Sequence, residues 1–139
     1  MAAVALTTAG VLDMVEWPPP MDAQTLRCAA DLAAGTFVRQ DASGNWIQAL
    51  ATTAPNLLGA RLLLKTCKTG EAGTAIRKGT VSGFAISGLA FNVNLYVSDI
   101  GGLADTIGTV TQIAGRVIPG TANLVTNAQD KLLSVDLPE

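Results

Sequence analysis

Hydrophobic and polar residues alternate in short runs along most of the chain, and glycines separate the runs. The cleanest alternation is at 133–137, where Leu133, Val135 and Leu137 fall on one side of an extended strand and would face a core or a partner. Glycine and polar clusters between the runs are typical of turns. The extended runs lie at 25–29, 36–40, 46–49, 57–65, 74–78, 80–86, 89–94, 95–98, 113–118, 123–126 and 133–137.

Two stretches need a closer interpretation. The apolar residues of 57–65 are consecutive, which is typical of a strand covered on both faces, and Pro55 and Gly59 favour a strand over a helix there. The pair Gly101-Gly102 predicts a hairpin turn, although 99–108 also has room for a helical turn.

These runs, interpreted as about nine short strands interrupted by glycine, predict an all-β fold, a small β-barrel or β-sandwich, over residues 21–139. No repeat of fixed period is visible. The size is that of one ordinary domain.

Residues 1–20 form a separate N-terminal arm and spacer. Three consecutive prolines, Pro18, Pro19 and Pro20, enforce an extended, stiff segment between the arm and the body. The arm has too little polar character for a solvated tail, so it lies either on a partner or on its own body. Its conformation stays open, because its apolar residues follow a helical stripe only loosely. That stripe consists of Val4, Val11, Leu12 and Val15.

The composition points to contact with a partner. Only 14% of residues are charged and 49% are hydrophobic, whereas a typical soluble domain is about 25% charged. A surface with so few charges usually meets another molecule. The alternative is a monomer whose surface consists of neutral Thr, Ser, Asn and Gly residues. The net charge of −2 and the aromatic content of 4% argue against nucleic-acid binding. No lysine or arginine precedes Arg27 and no apolar run is long enough to span a membrane, which predicts a cytoplasmic product without a signal or a span.

The chain offers little catalytic or metal-binding chemistry. It contains no histidine, the commonest general base and metal ligand. Asp99 and Asp105 flank the Gly101-Gly102 turn and are the remaining candidates for acid–base chemistry or calcium, but Asp and Gly are common in turns for backbone reasons. Cys28 and Cys67 lack metal-site spacing and are interpreted as free, buried, small apolar residues. A disulfide between them stays open, although nothing in the sequence requires one. We predict no enzyme activity, no cofactor and no metal.

Two features are candidates for an interface. Basic residues cluster between 61 and 78, while the arm carries only acidic charge, a division that would steer docking. The alternative is that these residues are solvated strand edges. Trp17 beside the prolines is the second candidate, because tryptophan is enriched at interface centres; it could equally anchor the arm to its own body. The candidate interface residues are Trp17, Pro18, Pro19, Pro20, Arg61, Lys65, Arg77 and Lys78.

Four segments together resemble the decoration, or cement, proteins of tailed-phage heads. They are Leu32-Ala33-Ala34-Gly35-Thr36-Phe37-Val38, then 71–79 leading into Val81, then 95–103, which begins Leu-Tyr-Val-Ser and ends Gly-Gly-Leu, and finally Ile113-Ala114-Gly115-Arg116-Val117-Ile118. The resemblance covers roughly residues 25–126 and does not include the arm.

The resemblance implies a β-barrel-like body that assembles as a homotrimer. It further implies binding to the major capsid protein on the outer surface of the head after expansion, so the expected location is the virion. The family has no catalytic residues to carry over. Two other functions stay open, another virion component such as a head fibre or tail domain, and a small-ligand-binding β-barrel.

Overall fold

The computed structural model describes residues 3–6, 13–14, 23–86, 88–119 and 131–138, and of residues 13–14 the backbone only. The predicted all-β fold is confirmed, with eleven strands and one short 3-10 helix at Ala54–Leu57 in the described part. In chain order the strands are β1 (Asp13–Met14), β2 (Gln24–Arg27), β3 (Phe37–Gln40), β4 (Trp46–Gln48), β5 (Arg61–Leu63), β6 (Ala72–Ile76), β7 (Lys78–Ser82), β8 (Asn94–Val97), β9 (Leu103–Ala104), β10 (Ile113–Pro119) and β11 (Lys131–Asp136).

The strands form two antiparallel sheets. One sheet has the order β1-β7-β11-β10-β8-β9, and the other has the order β2-β6-β5-β3-β4. The two edge strands of the five-stranded sheet, β2 and β4, come together, so the sheet is strongly curled. Cys28, directly after β2, bridges to Trp46 in β4, and the Ala29 N–H donates to the Trp46 carbonyl at 3.0 Å. The architecture is therefore sandwich-like, with one strongly curled sheet.

The main core lies between the sheets and receives side chains from both. The predicted inward face of the last strand is confirmed, since Leu133, Val135 and Leu137 are at most 2% exposed. Other members of this core are Phe37, Leu62, Ile76, Val81, Leu95, Val97 and Val117.

A second, smaller core fills the other face of the five-stranded sheet. Its members are Cys28, Leu32, Val38, Trp46, Leu63, Cys67 and Ala75. Neighbouring residues of β5 therefore enter different cores, Leu62 the main one and Leu63 the smaller one. The consecutive apolar pattern arises because both faces of this sheet are covered, as predicted.

Some predicted strand bounds are wrong. The run 57–65 is shorter as a strand, because the 3-10 helix and Gly59, with a φ of +69°, precede β5. The run 89–94 is mostly a turn, with Asn92 at a φ of +63°, and a strand begins only at Asn94. Segment 99–108 contains β9 rather than a helical turn, and the predicted hairpin turn at Gly101 is confirmed. The predicted strand 123–126 lies outside the described residues.

The interpretation of the two cysteines as free is wrong, because they form a disulfide. Cys28 follows β2 and Cys67 pairs with Leu32, so the folded sheet brings together two residues that are 39 positions apart. Gly73 leaves room for the bridge: a Cβ there would lie 3.1 Å from one sulfur and 3.2 Å from the other. The prediction that both residues are buried is confirmed.

Four residues of the arm are extended and lie on the body. Ala3 bridges to Ala104 in β9, and Leu6 bridges to Phe84. Val4 and Leu6 are half-buried against the main core, and the alanines are exposed, which is the two-residue period of a strand. Val4 is therefore in an extended segment and not in a helix. The other three residues of the helical stripe lie outside the described part.

Candidate interaction surface

The structure separates the predicted basic cluster into two places. Arg61 precedes Leu62 and Arg77 follows Ile76, and since Leu62 pairs with Ile76, both arginines lie at one end of β5 and β6. Lys65 lies beyond the other end, where it is exposed. The basic residues therefore do not form one continuous patch.

Three of the four basic candidates have partners in their own chain. The Arg61 guanidinium donates to the Gly59 carbonyl at 3.4 Å. The Arg77 guanidinium donates to the Leu137 carbonyl at 3.0 Å. The Lys78 ammonium lies 3.5 Å from the carboxylate of Asp136, the residue opposite it in the strand register. Trp17, Pro18, Pro19 and Pro20 lie outside the described residues. An interface role for all eight candidates stays a prediction.

Exposed apolar side chains mark a different surface. Four large aliphatic residues are between 42% and 75% exposed, and we call them the apolar rim. They are Leu58, Ile100, Ile107 and Ile113. Single exposed apolar residues are normal, but several on adjoining segments are typical of contact surfaces.

Hydrogen bonds hold the segments of the rim together. The Val110 N–H donates to the Ala51 carbonyl at 2.7 Å, which joins segment 99–113 to segment 48–59. Leu58 and Val110 then line one groove with Pro138. The Gln48 amide donates to the Ile100 carbonyl at 2.8 Å, which ties the hairpin turn to β4.

A carboxylate secures the loop that carries Ile107. Asp99 accepts hydrogen bonds from the Thr109 N–H and from the Thr109 hydroxyl, both at 2.7 Å. The pKa of Asp99 lies below its ordinary value of 3.8. The hydrogen bond from the Thr109 N–H is the larger cause, and the hydrogen bond from the Thr109 hydroxyl is the next. Gly108 permits this geometry, since a Cβ there would lie 2.7 Å from an Asp99 carboxylate oxygen.

The segments that carry the rim contain few charged residues, but two guanidiniums reach the end that carries Leu58. Arg39 donates to the Asn56 side chain at 3.2 Å and Arg61 to the Gly59 carbonyl at 3.4 Å. The sequence has no charged residue from 42 to 60, and from 99 to 115 it has only Asp99 and Asp105. Asp99 already accepts two hydrogen bonds from Thr109. A partner would therefore meet mostly apolar side chains on this surface, with two arginines at the Leu58 end.

A cavity of about 330 Å³ lies beside the disulfide. It opens where β5 and β6 diverge, and Lys65 is its only charged lining residue. The other lining residues are Leu64, Thr66, Cys67, Ala72, Gly73 and Thr74. One cation among small neutral side chains does not define a ligand or a reaction.

The described residues contain no group of three or more His, Cys, Asp or Glu side chains that could hold a metal ion. Asp99 is bonded to Thr109, and Asp105 has one buried carboxylate oxygen without a partner. Within the same residues, no helix has the length and apolar character needed to cross a bilayer.

Comparison with family models, with curated proteins and with solved structures gives no significant match.

The sequence interpretation missed the rim. The sequence pattern places Leu58, Ile107 and Ile113 in strands or turns, and a single apolar residue between polar ones does not reveal which way its side chain faces. The available signal was the absence of charge from 42 to 60 together with its near absence from 99 to 115.

Proposed function

We propose that this protein is a structural component of a tailed-phage virion, which binds the outer surface of the head as a homotrimer and stabilises the capsid lattice. The major capsid protein is the proposed partner. The observation that carries the proposal is the apolar rim on an all-β body, because it supplies contact area without reactive groups.

The rim supports lattice binding on energetic grounds. Complete burial of one Leu or Ile side chain contributes roughly 1.5–3 kcal/mol. Association costs offset much of that gain for a single copy. Three linked copies bind as a unit, so modest contacts add up to high avidity. A ligand that binds only the assembled shell then stabilises the shell by mass action.

The disulfide also supports a final location outside the cell. Disulfides persist in oxidising surroundings such as virion surfaces and are rare in the cytosol. Cys28–Cys67 joins segments of the small core, so it would keep the curled sheet intact on an exposed particle.

The test is decoration of expanded, undecorated heads of the phage that encodes the protein. Wild-type protein is mixed with heads, free protein is removed, and particles are imaged by electron microscopy. We expect density at three-fold positions and a higher disruption temperature of the decorated heads.

Matched variants assign the binding to the rim. The double variant Leu58→Asp with Ile107→Asp places charge at exposed positions, so we expect it to fold and to bind heads at least tenfold more weakly. Ala90→Asp adds charge at an exposed loop residue outside the rim and is expected to bind like the wild type. Absence of wild-type density on heads would overturn the proposed function, and equal binding by the rim variant would remove the rim from it.

A further inference from the structure

The N-terminal residues Ala3–Leu6 complete the six-stranded sheet. The Val4 N–H donates to the Leu103 carbonyl of β9 at 3.0 Å, on one side of the segment. On the other side, the Ala5 carbonyl accepts from the Ala85 N–H at 2.7 Å. The segment therefore bonds to both neighbours, as a central strand does, and joins the end of the sheet at β9 to the chain that follows β7.

The site that receives this strand is built for it. Leu6 packs over Gly35, where a Cβ would come within 2.9 Å of the Leu6 side chain and 3.4 Å from the Phe84 ring. Gly35 has a φ of +81°, a conformation that side chains other than glycine rarely adopt. Position 35 therefore requires glycine for two reasons: a side chain would collide with Leu6, and the backbone conformation is left-handed.

Without its strand, the site would present two unpaired backbone edges and an apolar floor. Leu103 and Ala104 form one edge, and Phe84 with Ala85 forms the other. Unpaired edges next to exposed apolar surface recruit another strand. Every further copy of the chain carries the segment Ala-Val-Ala-Leu that fits.

We propose that Ala3–Leu6 is an exchanged strand, which in the assembled protein completes the sheet of a neighbouring copy instead of its own. The occupant of the site is then a second copy of this chain, and the same contacts hold the subunits together. The inference rests on the proposed self-association but not on binding to a capsid.

The length of chain next to the segment permits the exchange. Leu6 and Asp13 are seven residues apart, and seven residues span up to about 25 Å when extended. A connection of this length lets the strand leave its own body while β1 stays paired with β7. Exchange of identical elements between copies needs no new surface chemistry.

The test is a cross-link read by isotope labelling. The variant Leu6→Cys with Phe84→Cys places two thiols at a bridged pair of residues. Equal amounts of ¹⁵N-labelled and unlabelled variant are refolded together and oxidised. Trypsin then releases residue 6 in peptide 1–27 and residue 84 in peptide 79–116, and neither peptide contains a native cysteine. Mass spectrometry reports whether the joined peptides come from one chain or from two.

We expect about half of the joined peptides to pair a labelled with an unlabelled partner, as random exchange between equal populations requires. Joined peptides that are always of one label would overturn the exchange. If such a sample still has the mass of a trimer by light scattering, the exchange fails and the proposed trimer stands. If it has the mass of one chain, both fail.

A second double-cysteine variant provides the same test if the first variant does not fold. Ala3→Cys with Ala104→Cys uses the other bridge of the same segment, and both new residues are small. The same labelling and the same two outcomes apply. Circular dichroism of each variant before oxidation confirms the β fold.

Discussion

Gly115 in β10 lies close against the backbone of β11, which makes it a sharp test of the sheet. A Cβ on this residue would lie 2.2 Å from the Ser134 carbonyl oxygen and 3.2 Å from a methyl of Leu133. The clash is with backbone, so Gly115→Ala requires the two strands to separate by about 1 Å to restore normal contact. These strands form the longest ladder of the described residues, from Gly115 opposite Val135 to Pro119 opposite Lys131.

The expected cost follows from two opposing effects. Alanine reduces the conformational entropy of the unfolded chain, which stabilises by roughly 0.4–1 kcal/mol. Overpacking of a closely packed site costs typically about 1–3 kcal/mol and sometimes more. Because backbone has to move, the cost lies near the upper end of its range, and we expect Gly115→Ala to lower the free energy of unfolding by about 2 kcal/mol.

Urea unfolding measures this cost. With a slope of about 1–3 kcal/mol per molar urea, the midpoint should fall by about 1 M. Gly88→Ala is the matched control, since a Cβ there meets no atom within 4 Å and its φ is outside the left-handed region. Only the entropic effect applies to the control, so we expect it to be as stable as the wild type or more stable by up to about 1 kcal/mol. Equal midpoints for the two variants would show that β10 and β11 are not packed as described.

Three further predictions concern the disulfide, the main core and the Asp99 carboxylate. Replacing Cys28 and Cys67 by serine should destabilise by about 4 kcal/mol, from the loop entropy of 39 residues. Alkylation of both thiols in unreduced, folded protein would contradict the bond. Val135→Asp should lower the free energy of unfolding in urea by about 3–5 kcal/mol, because it buries an unpaired charge at a residue that is 2% exposed. An unchanged midpoint would show that Val135 does not face the main core. The lowered pKa of Asp99 means that its bonds to Thr109 stabilise fully above the ordinary value of 3.8 and are lost as the pH falls through the folded pKa. The melting temperature of the wild type should therefore fall more steeply below about pH 4 than that of Asp99→Asn, and parallel curves would contradict the role of the carboxylate.

Local sequence patterns correctly predicted which side chains are buried where the spacing of apolar residues within one strand determines their burial. Leu133, Val135 and Leu137 alternate with polar residues, and all three are buried. Leu62 and Leu63 are consecutive, and they enter the two cores on opposite faces of one sheet. In both cases the pattern lies within one strand, and burial on one or two faces follows directly from it.

Long-range features could not be predicted in this way. Cys28 and Cys67 meet because the five-stranded sheet curls, and no local pattern specifies that curl. Segment 3–6 has only four residues, too few for periodicity to separate a strand from a helix. The rim is missed for a related reason, since exposure of Leu58 depends on how the chain after the 3-10 helix turns.

The central claim is that the protein acts by joining copies of itself into a larger structure through surface contact. Size-exclusion chromatography with light scattering tests the first step directly. The account predicts a mass of about 43 kDa, three times the 14.2 kDa of one chain. A constant mass of 14.2 kDa over a wide range of concentration would contradict it.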